Sequence, residues 1–165
     1  MPRKARAHSS TGIYHITLRG INRRFLFNDE KDFAYFTGAL RRLKTKTGST
    51  FYACCLMDNH VHLLMKEGHG GICKDMNHLC SSYAAYYSKK YETYGYVFQD
   101  RFHSTPVEDD DYFYTCLEYI YENPVEAGIV EKPEDYRWLW VNSKLREETQ
   151  QTGKRLVQGG SSDAL

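Results

Sequence analysis

His60 and His62 flank a single valine in the run Ala53-Cys54-Cys55-Leu56-Met57-Asp58-Asn59-His60-Val61-His62-Leu63-Leu64-Met65. The run reads as two strands around a polar break at Asp58-Asn59. On a strand, residues i and i+2 project from the same face, so both imidazoles can reach one ion while Val61 points the other way. Neutral imidazole is the commonest protein metal ligand; the alternative is that one of the pair is a structural histidine. Two ligands hold a catalytic divalent ion poorly, so a third polar donor is required. Tyr119 and Asn123 are four apart and share a helical face, with Glu118 and Glu122 on the neighbouring one. A phenol beside a cation is a candidate nucleophile. Its ordinary pKa of about 10 makes it weak at neutral pH, and a nearby positive ion favours phenolate and polarises a phosphate under attack.

The reaction that fits is phosphodiester cleavage by tyrosine. The phenolic oxygen attacks phosphorus, leaving a covalent DNA–tyrosine ester and a free 3′ hydroxyl. The ester conserves the energy of the broken bond, so a second 3′ hydroxyl can reverse the step. Other assignments stay open at the level of residues. Tyr119 is one of fourteen tyrosines. Tyr121 falls on roughly the opposite side of the same helix. Asn123, just before Pro124, is equally suited to cap a helix C-terminus. His15 lies on a candidate strand and can serve either the site or the core.

Alternation over Ile13–Leu18 predicts a first strand. Asn28-Asp29-Glu30 opens a helix in which Phe33, Phe36, Leu40 and Leu43 recur, and Gly48 closes it. Phe51–Met57 and His60–Met65 are two further strands. A second helix runs from about Ile72 to Tyr91, with Met76, Leu79, Cys80, Tyr83 and Tyr87 as its packing stripe. Ser104–Glu108 is a fourth strand. A third helix runs from Asp109–Asp111 to about Tyr121, stopped at or near Pro124. This order predicts an α+β fold: a split βαβ, four-stranded antiparallel sheet, two helices on one face, and an additional C-terminal helix carrying the tyrosine. The expected divisions are a loose basic arm at 1–11, one domain at 12–140 and a polar, weakly ordered tail at 141–165.

An apolar content of 41% with 15% aromatic residues suits one folded domain of 165 residues. Net charge is +1, but residues 1–46 hold eleven basic and three acidic side chains, and residues 108–165 hold six and thirteen. A basic region of this kind can attract phosphates. No stretch is long and apolar enough to span a bilayer, and no apolar run follows the basic N-terminus as in a signal peptide. The five cysteines form no CxxC pair and read as small buried hydrophobes of a reducing compartment. The expected location is the cytoplasm.

Four blocks in order carry a resemblance. They are Tyr14-His15-Ile16-Thr17-Leu18-Arg19-Gly20-Ile21-Asn22-Arg23; Tyr52–Leu64 with the histidine pair; Phe98-Gln99-Asp100-Arg101-Phe102; and Leu117-Glu118-Tyr119-Ile120-Tyr121-Glu122-Asn123-Pro124-Val125-Glu126-Ala127-Gly128. Tyr136-Arg137-Trp138 follows as a closing motif. Together they resemble the single-tyrosine HUH transposases of the IS200-like superfamily, most closely the REP-associated tyrosine transposase branch, over roughly residues 12–140.

The resemblance implies Mg²⁺ or Mn²⁺ held by His60 and His62 with Asn123, Tyr119 as nucleophile, and single-stranded DNA with a hairpin as substrate. Arg3, Lys4, Arg6, Arg19, Arg23, Arg24 and Arg101 are the candidate phosphate contacts. Phe98 and Phe102 are candidate stacking platforms, with core closure as their other reading. Relatives include dimers that share active sites and monomers, so a homodimer and a monomer both stay open. Two departures touch the DNA contact: the second helix is poorer in Lys and Arg than is usual, and Asp100 stands where the family carries glycine. Two other classes compete with this transposase or nickase. One is a hairpin-binding module that grips DNA or RNA without cutting. The other is a metal-dependent hydrolase in which water attacks.

Overall fold

A computed structural model describes residues 2–151 and Leu165. Five strands and four α-helices follow one another: β1 (Ile13–Arg19), α1 (Glu30–Thr47), β2 (Thr50–Met57), β3 (His60–Lys66), α2 (Ile72–Tyr91), β4 (His103–Pro106), α3 (Asp110–Glu126), β5 (Leu139–Val141) and α4 (Ser143–Gln151). The sheet order is β4-β1-β3-β2-β5, and every pairing is antiparallel. The first four strands make the expected split βαβ arrangement.

The fifth strand goes beyond the four that the sequence pattern predicts. Leu139, Trp140 and Val141 are all buried, and they pair with Cys55, Cys54 and Ala53 on the outer edge of β2. The Leu56 amide donates to the Trp138 carbonyl at 3.0 Å, which brings the chain onto that edge. A three-residue apolar run has no period of its own, so its strand character comes from the pairing. Most of 141–151, read from sequence as polar tail, is helix α4; residues 152–164 lie outside the described residues.

Each face of the sheet has its own core. Tyr14, Ile16 and Leu18 of β1 and Val61, Leu63 and Met65 of β3 point toward α1 and α2, where they join Phe33, Phe36, Leu40, Met76, Leu79, Tyr83 and Tyr87. Leu64 points the other way and joins Ala53, Cys55 and Met57 beneath Cys116, Leu117 and Ile120 of α3. Strand alternation thus puts His60 and His62 on the α3 side. An irregularity between Phe51 and Ala53 interrupts the alternation of β2, so that Tyr52 and Ala53 in succession join the second core.

The helix ends follow their side chains. Asp29 caps α1 by accepting from the Asp32 amide at 3.1 Å, and Gly48 closes it at φ 74. Asp109 caps α3 by accepting from the Tyr112 amide at 2.7 Å. Pro124 does not stop α3, which runs on to Glu126. Its missing N–H costs one bond, but the Asn123 carbonyl still accepts from the Ala127 amide at 3.0 Å and the Pro124 carbonyl from the Ile129 amide at 3.0 Å. Asn123 is therefore inside the helix rather than its cap, and its side chain is available for other work.

The N-terminal arm is fastened along the β4 edge. The Ser9 amide donates to the Tyr14 hydroxyl at 2.9 Å, the Ser10 amide to Glu108 at 3.0 Å, and the Thr11 hydroxyl to the Val107 carbonyl at 2.6 Å. The expected fourth strand begins one residue earlier than predicted and ends at Pro106.

Candidate active site

β1 and β3 are neighbours, and their register sets Thr17 opposite His62 and Arg19 opposite His60. His15 lies one pair further along on the same face. α3 crosses above them. Its buried side, Cys116, Leu117, Ile120 and Asn123, faces the sheet, while Tyr119 stands at the margin and is 47% exposed. Ring centroids of His62 and Tyr119 are 5.4 Å apart, those of His15 and Tyr119 5.9 Å, and those of His60 and His62 5.1 Å. Asn123 is buried and lies close enough to His60 to work against the lowering of its pKa. Tyr121 is buried in the second core, with its hydroxyl directed to Glu134 at 3.4 Å.

The ring nitrogens are arranged in a consistent way. His60 Nδ1 lies 2.8 Å from the Asn59 side-chain oxygen. That oxygen only accepts, so Nδ1 carries the proton and Nε2 keeps its lone pair. His62 Nδ1 lies 3.1 Å from His15 Nε2 and 3.4 Å from the Thr17 hydroxyl. Burial disfavours the charged form of all three of these histidines. Burial, then the charges of His15, His60 and Arg19, push His62 down to about 3. Burial, then His103, pushes His15 down to about 4. Burial and Arg19 lower His60, against a raising contribution from Asn123. Neutral imidazoles with free lone pairs are what a cation requires.

His60, His62 and Asn123 are the residues that would hold a divalent ion here. His60 and His62 each have Nδ1 engaged by a neighbour, and Asn123 adds an amide. Among the described residues no group of three His, Cys, Asp or Glu side chains is gathered for a metal. The donors on this face are two imidazoles and an amide.

The turn before His60 is enclosed by residues 20–27. The Gly20 amide donates to the Asn59 carbonyl at 2.9 Å, and the Leu26 and Phe27 amides both donate to the Asp58 carbonyl at 2.7 and 3.1 Å. A Cβ on Gly20 would lie 2.0 Å from the Arg24 carbonyl oxygen, so the tight return needs glycine. Asn22 and Arg23 follow at φ 52 and 60, a left-handed pair that displays Arg23 and Arg24 to solvent.

Beyond Arg19 opens a cavity of about 730 Å³ between α2 and the segment 95–102. It gathers Arg6, Arg19, Arg101, Phe98 and Phe102 from the sequence candidates. The Arg6 guanidinium carbon lies over the Phe102 ring, 3.5 Å from its centroid. Phe98 and Phe102 are half-buried against the first core, so each serves both readings. Asp100 adopts φ 56, a left-handed conformation that aspartate tolerates better than most residues. Arg3, Lys4, Arg23 and Arg24 lie outside the cavity, all exposed, and Arg3 pairs with Asp100 at 3.7 Å.

Sequence reasoning left out Lys74, Asn77, Ser81 and Gln99, which line the same cavity. Asn77 and Ser81 are four apart on α2, and that polar stripe opposite the apolar one was the available signal.

A family model described as Transposase IS200 like matches residues 8–123. The chain belongs to that family and is a transposase. Among solved structures, a REP-associated tyrosine transposase bound to a REP hairpin superposes with a TM-score of 0.72 at 16% identity, covering 99% of this chain and 96% of that one. The fold is therefore shared with that enzyme. A protein of Deinococcus radiodurans R1 assigned as a transposase gives a TM-score of 0.49 at 19% identity, covering 74% of this chain and 97% of that one. No curated protein sequence matches significantly. No helix among the described residues is long and apolar enough to cross a membrane.

Proposed function

We propose that this transposase cleaves and rejoins single-stranded DNA beside a hairpin, through a covalent 5′-phosphotyrosine on Tyr119, with Mg²⁺ or Mn²⁺ held by His60, His62 and Asn123. The observation that carries the reading is the meeting of a half-exposed phenol with His62 and His15, whose ring centroids lie 5.4 and 5.9 Å from that of Tyr119, on the face that also carries His60. Tyr119 oxygen attacks phosphorus in line with the departing 3′ oxygen. The P–O3′ bond breaks, the phenolic proton leaves to solvent, and the departing 3′ oxygen takes a proton from solvent to become a hydroxyl. Tyr119 sits on a helix anchored by Leu117 and Ile120, which fixes the approach of its oxygen. A bound divalent ion supplies positive charge for the phosphate oxygens. Arg19, beside His60, and the cavity beyond it offer a basic path for the strand away from the cut. The structurally similar enzyme is bound to a REP hairpin, which supports hairpin DNA as the substrate class for this chain. The 5.4 Å approach of the Tyr119 and His62 rings within one chain supports a site assembled inside a single subunit.

The test is a labelled hairpin-bearing single strand incubated with the protein and Mn²⁺, then denatured. A covalent adduct is expected from the wild-type protein and from Tyr121→Phe, and none from Tyr119→Phe or with EDTA. Cleavage without adduct would replace the reading with a hydrolase that uses water. Binding to many hairpins with no cleavage in any metal would replace it with a binding module.

A further inference from the structure

We infer that His15 is a positioning residue of this site: its Nε2 accepts the Nδ1 proton of His62 and so holds the His62 Nε2 lone pair toward the metal. The inference rests on the metal reading above and concerns a residue outside the ligand set.

The geometry argues it in three steps. First, His62 Nδ1 has two neighbours within hydrogen-bonding range, and His15 Nε2 at 3.1 Å is nearer than the Thr17 hydroxyl at 3.4 Å. Two imidazole nitrogens in contact need one proton between them, so one ring donates and the other accepts.

Second, β1–β3 pairing places Leu64, not His62, opposite His15. His15 therefore reaches diagonally along the sheet, and the rings tilt at 33° with centroids 5.3 Å apart. A side chain serving only the core would have the apolar Leu64 as its natural partner.

Third, His60 is held in the same manner, with Asn59 accepting its Nδ1 proton at 2.8 Å. With His15 as acceptor, both imidazoles become Nδ1–H tautomers and both Nε2 lone pairs are free. With His15 as donor, His62 would carry its proton on Nε2, and the pair would be mismatched for one ion. Partners of this type fix the ring and tautomer of metal-bound histidines, and their loss commonly lowers affinity about 10–100-fold. The His15 ring also lies edge-on to Tyr119 at 5.9 Å, so the same side chain borders both the ligand and the nucleophile.

The test begins with ¹⁵N NMR of histidine tautomers in the metal-free protein at neutral pH. His62 is expected as Nδ1–H in the wild-type protein and as a mixture in His15→Leu. Mn²⁺ titration by electron paramagnetic resonance should then show about 10–100-fold weaker binding in His15→Leu. His15→Gln, whose side-chain oxygen reaches near the same point, should recover most of it, with thermal unfolding used to check that all variants fold. An Nε2–H tautomer of His62 in the wild-type protein overturns the inference. So does a loss carried by Thr17→Val and not by His15→Leu, or unchanged Mn²⁺ binding in a folded His15→Leu beside a wild-type protein that binds. Failure of the wild-type protein to bind Mn²⁺ overturns the metal reading itself, and this inference with it.

Discussion

His62 and Tyr119 meet edge to face, with ring planes at 85°, at the point where α3 crosses the third strand of the sheet. The two side chains are 57 positions apart in sequence, and the second core beneath α3 brings their elements together. Anything that shifts α3 on the sheet shifts the phenol against the imidazole.

Removing either imidazole should separate metal binding from DNA binding. His60→Ala and His62→Ala are expected to lose covalent adduct by at least about 100-fold, since the charge at the phosphate goes with the ion. Hairpin affinity in EDTA should stay within about threefold, because the basic cavity and Arg19 are untouched. Gel shift in EDTA beside adduct yield in Mn²⁺ reads both. A parallel fall in the two would mean that the histidines build the DNA surface instead.

Acid should destabilise the metal-free protein earlier than its carboxylates alone would. His62 and His15 are held down to about 3 and about 4 in the folded state, chiefly by burial, with Arg19, His60 and His103 adding repulsion. The unfolded chain binds those protons near the ordinary histidine value of about 6.5. Between that value and about 4 the unfolded state therefore holds more protons, and stability falls as pH falls. Each group contributes up to about 1.4 kcal/mol per pH unit in that window. Urea unfolding in EDTA at pH 7.5, 6.0 and 5.0 should show the decline, flattened in His62→Gln. The same slope in both proteins would mean that His62 takes its proton in the folded state.

Much of this site could be read from the residues alone, and the limit was register. Alternation in Ile13–Leu18 and His60–Met65 was enough to put both histidines on the face away from α1 and α2. The 119/123 spacing was enough to pair Tyr119 with Asn123. What alternation does not encode is which residues of β1 stand beside which residues of β3, so His15 stayed ambiguous until the pairing set it one step from His62. The helix beyond Pro124 was missed because a missing N–H is a local signal, while the bonds that carry α3 to Glu126 involve Ala127 and Ile129. The fifth strand was missed because its strand character lies in the β2 edge it joins.

The cavity beside Arg19 should have an electrostatic signature. Arg6 and Arg101 approach closely enough that burial, then Arg101, lowers the Arg6 guanidinium. Two crowded cations are relieved by a phosphate between them. Arg6→Ala and Arg101→Ala should each lower the slope of log affinity against log salt by about 0.7, the value for one phosphate contact on a single strand. Phe102→Ala should cost about 1–3 kcal/mol of binding through lost stacking, along with the platform under Arg6. Fluorescence anisotropy over a salt series measures all three. Unchanged slopes would remove the cavity from the DNA path.

Tyr83 tests how far the first core governs the site. Its ring is fully buried among Phe27, Phe36, Tyr35, Tyr86 and Phe98, and its hydroxyl donates to the Leu26 carbonyl. The Leu26 and Phe27 amides in turn hold the Asp58 carbonyl, one residue before Asn59 and two before His60. Tyr83→Phe keeps the ring and removes the donor, leaving a carbonyl without its partner in the core. The expected cost is about 1–3 kcal/mol. Because the lost bond anchors residues 20–27, the Leu26 and Phe27 amides should exchange with solvent faster than amides of β1 and β3 in the same protein. Mn²⁺ affinity should fall only modestly, since Asn59 and His15 still orient the two imidazoles. Hydrogen exchange followed residue by residue decides it. Uniform acceleration across the whole sheet would mean that the hydroxyl supports global stability alone and has no particular hold on the turn that presents His60.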